Sequence, residues 1–160
     1  MYRMIRSPAH ILPGLGLACL PLLAMSQTRD LDELLQNATR IECSFSQIVT
    51  GEWSDEGPVF TAEPVEFEAA FFNIDAESGT ADAEGRFGAS YIIVRYAQGY
   101  LHFMQSLTSG PLYLTTVLAQ PGTEGRLKAV HTRHEFTRVS LPGFTSRPEM
   151  YLGDCSVEVE

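Results

Sequence analysis

Apolar residues recur at every second position through most of this chain. Ile41, Cys43 and Phe45 fall on one face of an extended segment, and Val65, Phe67, Ala69 and Phe71 on one face of another, with Glu66 and Glu68 opposite them. Strand side chains alternate between the two faces of a sheet, so this period of two predicts half-buried strands. Tyr91 to Tyr96 and Tyr100 to Gln105 flank the turn residues Ala97, Gln98 and Gly99 and predict a hairpin. Leu112, Leu114, Thr116 and Leu118 lie on a further strand, which ends at a turn around Pro121, Gly122 and Gly125. Two more strands follow, Leu127 to Phe136 and Tyr151 to Val159; in the second, Cys155, Val157 and Val159 are expected to face inward and Glu158 and Glu160 outward. Pro142, Gly143 and Pro148 break the segment between them into a loop. Asp30 to Asn37 departs from the period, because Leu31, Leu34 and Leu35 gather on one side of a helical turn. The elements predict an all-β domain: an antiparallel barrel or sandwich of about seven to nine strands behind one short helix.

Ahead of that helix the pattern changes again. Arg3 and Arg6 precede an apolar run from Ile11 to Met25, with Ala24 and Ser26 at two small-residue positions, which predicts a secretory signal peptide over residues 1–26. The run of about 15 residues, interrupted by Pro13, Gly14, Gly16 and Pro21, is short of the roughly 20 a spanning helix needs, so no membrane anchor is expected after processing. Cys19 is a poor lipidation site, since Gly16 stands where a Leu-like residue belongs. The expectation is one β domain over residues 27–160, exported by a bacterial Sec-type route to the periplasm or beyond. Processing leaves Cys43 and Cys155 in a compartment that oxidises thiols, and neither has the neighbours that a metal thiolate or a catalytic cysteine requires. They predict one disulfide, tying the first strand to the last. Closing so long a loop stabilises by about 4 to 5 kcal/mol on the chain-entropy model.

Processing also sharpens the charge. Losing Arg3 and Arg6 removes two of the 11 basic residues and none of the 20 acids, which takes the formal net charge from −9 to −11. Nucleic acid is excluded as a partner on that ground. From Ile41 to Gly85 there are 11 acids and no Lys or Arg, so one half of the domain is acidic and the other nearly balanced. A solubilising face accounts for this, and so does a surface for a basic partner or a cation.

The densest candidate chemistry is Ala129 to Phe136, where His131 and His134 stand three apart with Arg133 between them and Glu135 alongside. Three apart suits a shared helix face, but on a strand an odd separation sends the two to opposite faces. Leu127, Ala129, His131 and Arg133 then share one face and Val130, Thr132, His134 and Phe136 the other, with one histidine inside or at a rim and the other wet. A metal site would need a bulge and a third ligand such as His102. His134 is expected to meet a loop or a carboxylate near Tyr151 and hold the last strand in place. Asn73, Asp75, Glu77 and Glu84 match the first, third, fifth and twelfth positions of a calcium loop, yet the sixth is Ser78 rather than glycine and the flanks alternate like strands. A hairpin turn bearing acids explains the same letters. Ser44, Ser46, Ser106 and Ser140 lie in no nucleophile elbow, and phosphate loops and dinucleotide fingerprints do not occur. Carboxylate pairs are too many to point anywhere. Tyr91, Tyr96, Tyr100, Phe103, Tyr113 and Phe136 fall on neighbouring strands, as core or as the lining of a ligand cavity.

Thr132-Arg133-His134, the loop Leu141 to Phe144, the end Tyr151-x-Gly153-x-Cys155 and the stretch Cys43 to Trp53 together resemble an uncharacterised family of small secreted bacterial proteins. The resemblance implies an exported domain and no particular activity, and it singles out Arg133, His134, Arg147 and Tyr151 as candidate binding residues. Gly85 to Tyr91 (GRFGASY) is faintly similar to the inhibitory loop of periplasmic lysozyme inhibitors, departing from it at Phe87 and Ala89. Taken together, the chain is expected to be a monomeric, acidic, exported binding or structural module, non-catalytic, with no metal or cofactor. Its partner is a small ligand or an envelope protein. The alternatives are a metal- or histidine-dependent hydrolase built around His134, Arg133, Glu135 and His102, or an inhibitor of a basic enzyme such as lysozyme.

Overall fold

The computed structural model describes residues 30–83, 90–107, 110–135 and 147–159. Eight strands form: β1 (Arg40–Ser54), β2 (Gly57–Asp75), β3 (Thr80–Ala83), β4 (Ser90–Ala97), β5 (Tyr100–Ser106), β6 (Leu112–Pro121), β7 (Leu127–His134) and β8 (Glu149–Glu158). Each pairs antiparallel with the next, and β8 returns to pair with β1, so the sheet closes into a barrel. Of the two architectures open from sequence, the barrel forms. Closure directs one face of every strand to the axis.

That inner face is the core. Ile41, Phe45, Phe71, Ile92, Val94, Leu101, Phe103, Val117 and Leu127 are buried together inside, and the Phe71 and Phe103 rings stack at 4.0 Å between centroids. β1 keeps its apolar residues inward past Phe45 only because Ser46 is a bulge: the pairing shifts between Phe45 and Gln47, and Ile48 and Thr50 resume the inward phase. The bulge presses β1 against β8 at Gly153, where a Cβ would lie 2.1 Å from the Ser44 carbonyl oxygen, so only glycine fits. The β4–β5 connection is two residues, Gln98 and Gly99, both at positive φ (48° and 82°), the backbone a tight hairpin turn demands.

Helix α1 (residues 30–36) covers the barrel end that carries this turn. Leu35 is fully buried, Ala38 follows it into the core, and a Cβ at Gly99 would sit 2.8 Å from the Asp32 carboxylate. At the same end Cys43 and Cys155 are register partners on β1 and β8 and are disulfide-bonded, so the covalent bond lies across the seam where the ring closes. Arg126, from the β6–β7 turn, braces that seam by donating to the backbone carbonyls of Glu42 and Asp154. The opposite end, from which β1 and β2 run on as a hairpin, is called the mouth; residues 84–89, 108–109 and 136–146, which join strands at that end, lie outside the described residues.

One detail differs from the reading of the sequence and two go beyond it. Val159 lies past the end of β8 and is 48% exposed rather than inward, because the wall ends at the Arg40 and Glu158 pair. β2 begins at Gly57, well before Val65, since Pro58 and Pro64 sit on a strand with no second neighbour there among the described residues and cost it no bond on that side. Leu112, Leu114, Thr116 and Leu118 point outward, and the inward set of β6 is Tyr113, Thr115, Val117 and Ala119. Residues 1–26, the Gly85 to Ala89 stretch, Phe136, the Leu141 to Phe144 loop and Glu84 lie outside the described residues.

Candidate functional site

Near the mouth the apolar interior gives way to polar groups. β7 contributes His131 and Arg133, which follow Leu127 and Ala129 on the inward face, while His134 points out. β8 brings Tyr151 and Glu149 alongside, as the register partners of His131 and Arg133. β6 supplies Tyr113 and Thr115 on the other side, β1 and β2 supply Phe45 and Phe67, and Glu135 follows β7 as a buried carboxylate.

A guanidinium inside a barrel is costly unless its charge is met. The Arg133 guanidinium carbon lies 4.7 Å from the centre of the Phe67 ring, 5.1 Å from Tyr151 and 5.6 Å from Tyr113, so three π faces surround it. Glu149 completes the balance as an ion pair at 3.6 Å; both side chains are mostly covered, at 23% and 9% exposure. Tyr151 donates its hydroxyl to Glu149, and Tyr113 donates to Glu135 at 2.9 Å. Burial, reinforced by the hydrogen bond to Glu135, pushes the Tyr113 hydroxyl up to about 12, and burial followed by the Glu149 bond raises Tyr151 as well. Both phenols are therefore fixed as donors.

His131 is the deepest member of the group. Arg133 Nε–H donates to its Nε2 at 3.3 Å, which makes that nitrogen the acceptor and leaves the proton on Nδ1, 2.8 Å from Thr115 Oγ1. Burial first, and the neighbouring Arg133 charge second, pull its pKa down to about 3, so the ring is neutral at physiological pH. With both nitrogens engaged and a pKa far below 7, it is unsuited to general-base work. Its ring also packs 5.1 Å from Phe67 and 5.6 Å from Tyr151 between centroids.

The four candidate binding residues separate. Arg133 and Tyr151 meet in this cluster. His134 is exposed and touches Thr132 Oγ1 at 3.3 Å, so the contact with the Tyr151 region expected of it belongs to His131 and Arg133, the residues one strand step inward. Arg147 is at the rim and pairs with Glu52 of the projecting hairpin. His102 faces outward on β5, bonded to Thr116, so the three histidines weighed for a metal do not converge. No group of three or more His, Cys, Asp or Glu that could hold a metal occurs among the described residues. The described part of the calcium-like stretch is the β2–β3 turn: Asn73 donates to Asp82, and the Ser78 backbone N–H bonds the Asp75 carboxylate and holds its pKa below the usual value.

From sequence, none of Tyr113, Glu149 and Phe67 falls in a cluster with Arg133: Tyr113 belongs with the strand aromatics that are core or cavity lining, Phe67 lies on a strand face, and Glu149 carries no expectation. Tyr113 could have been found by following the less apolar face of β6, and Glu149 by stepping two residues back from Tyr151; only the register shows that the two flank Arg133. Comparison with protein-family models, with curated proteins and with solved structures finds no match in any of the three.

Proposed function

We propose that this chain is an exported, non-catalytic binding module that takes a small ligand at the barrel mouth. The observation that carries this reading is the cluster itself: a guanidinium held by three aromatic faces and a carboxylate, on the inward face of the barrel toward the end opposite α1. Convergent polar groups on an aromatic wall are what a small-ligand site uses to orient its occupant. The dispersal of His131, His134 and His102 supports binding over a histidine-pair hydrolase. The disulfide supports an oxidising, extracytoplasmic setting.

A thermal-shift screen of the oxidised domain tests the reading, with small carboxylates, ammonium compounds, peptidoglycan fragments and hydrophobic ligands as probes. At least one class is expected to raise the melting temperature of the wild type and to lose most of that effect in Arg133→Met. A broad panel without any shift, or a shift that persists undiminished in Arg133→Met, overturns it.

A further inference from the structure

The β1–β2 hairpin outruns the barrel. β1 parts from β8 at the Thr50 and Glu149 pair, with one more backbone bond from Gly51 N–H to the Pro148 carbonyl, whereas its pairing with β2 continues to Ser54 and Gly57. The last four residue pairs therefore project by roughly 13 Å. Thr50 is buried inward, so Val49, Gly51 and Trp53 face away from the axis. Cross-strand register sets Trp53 beside Pro58, Phe60 beside Gly51, Val49 between Ala62 and Met150, and Leu152 next to Gln47. Trp53 is 68% exposed, Phe60 71%, Met150 38% and Leu152 42%, one continuous apolar strip along the hairpin and onto β8.

We propose that this strip is the docking surface for a basic protein whose apolar groove is rimmed by lysine and arginine. Trp, Phe and Met gathered in one largely exposed row are the side chains that anchor protein interfaces. Charge selects the occupant. Asp55 and Glu56 sit at the hairpin tip and Glu66 and Glu68 on the outer face of β2 that carries Phe60, with no Lys or Arg in residues 51–68; Glu63 and Glu52, the latter paired with Arg147, lie on the other face of the hairpin. An anionic lipid surface is repelled by that rim, and a second copy brings the same negative charge. Strand addition along the side of β2 that has no strand neighbour among the described residues is opposed by Pro58, Pro64 and Glu63, so the contact runs through side chains. The surface is independent of the mouth.

Trp53 is the chain's one tryptophan, so its fluorescence reports on this strip alone. The oxidised domain is titrated with an amphipathic Lys/Leu peptide, a Lys/Ser peptide of equal charge, and vesicles of phosphatidylcholine with and without phosphatidylglycerol. A saturable blue shift with the Lys/Leu peptide is expected, at least tenfold weaker with the Lys/Ser peptide and in Phe60→Ser, Met150→Asp and Glu56→Lys/Glu66→Lys. Tyr100→Ser, an exposed aromatic elsewhere, is expected to bind like the wild type, and far-UV circular dichroism confirms that each variant folds. Equal binding of both peptides, unchanged binding in Phe60→Ser and Met150→Asp, a blue shift with vesicles, or a concentration-dependent blue shift of the protein alone with dimer in sedimentation each overturns the proposal.

Discussion

The two ends of the barrel interior differ in kind. At the closed end α1, the disulfide and the Phe71 and Phe103 stack fill the space with apolar contact that needs no partner beyond its own fit. At the mouth Arg133, His131, Glu149, Tyr151 and Tyr113 satisfy one another by charge, hydrogen bond and ring face. Burial at the first end adds stability in proportion to area; at the second the desolvation of the charges offsets most of what their pairing contributes. The closed end should therefore carry the stability of the fold and the mouth its response to pH and ligand.

The largest effect that would separate them is removal of the seam disulfide. Cys43→Ala/Cys155→Ala is expected to lose about 4 kcal/mol in urea unfolding, matching the wild type under reducing conditions. A loss under 1 kcal/mol would mean that the strand pairing of β1 and β8 alone closes the ring. Next, Leu35→Ala, which empties a fully buried site under α1, should cost about 3 kcal/mol and leave the pH dependence of stability unchanged.

The mouth should show the reverse. His131 is neutral when folded, at a pKa of about 3, and has the ordinary value of about 6.5 when unfolded. Below pH 6.5 the unfolded chain therefore takes up a proton that the folded one refuses. Stability is full above that pH and declines as the pH falls toward 3, at up to about 1.4 kcal/mol per pH unit from this group. His131→Gln should flatten that part of the profile; an unaltered slope would place the acid sensitivity elsewhere. Tyr151→Phe, which takes from the mostly covered Glu149 its hydroxyl donor, is expected to cost about 1 to 2 kcal/mol by chemical denaturation. The smallest change is His134→Ala on the outer face, expected within about 0.5 kcal/mol. A larger loss there would show that the outward face of β7 is not solvent-facing surface.

Much of this was legible from period two. Alternation assigns Leu127, Ala129, His131 and Arg133 to one face without any coordinates, and the Tyr151, Gly153 and Cys155 series has the same property: all three point inward, one to the Arg133 cluster, one to the bulge, one to the disulfide. Local pattern left the facing open where apolarity and inwardness part company. On β6 the leucines lie outside and Tyr113 and Thr115 inside, because the mouth demands hydrogen-bonding groups. On the hairpin, Gly57, Pro58 and Pro64 carry the letters of a loop, yet they form a strand because its second side has no neighbour to disappoint among the described residues.

By itself the sequence determined the all-β class, the short helix, the pairing of Cys43 with Cys155 and the separation of His131 from His134. These follow from the fixed alternation of strand side chains and, for the cysteines, from the expectation that Cys19 leaves with a signal peptide. The tertiary structure alone decided that the sheet closes, that Tyr113 and Glu149 meet Arg133 from different strands, and that Trp53, Phe60, Met150 and Leu152 form one outer strip. Such meetings depend on register between segments distant in sequence. Register is set by the bulge at Ser46 and by the packing of the whole ring, and no stretch of ten residues encodes it.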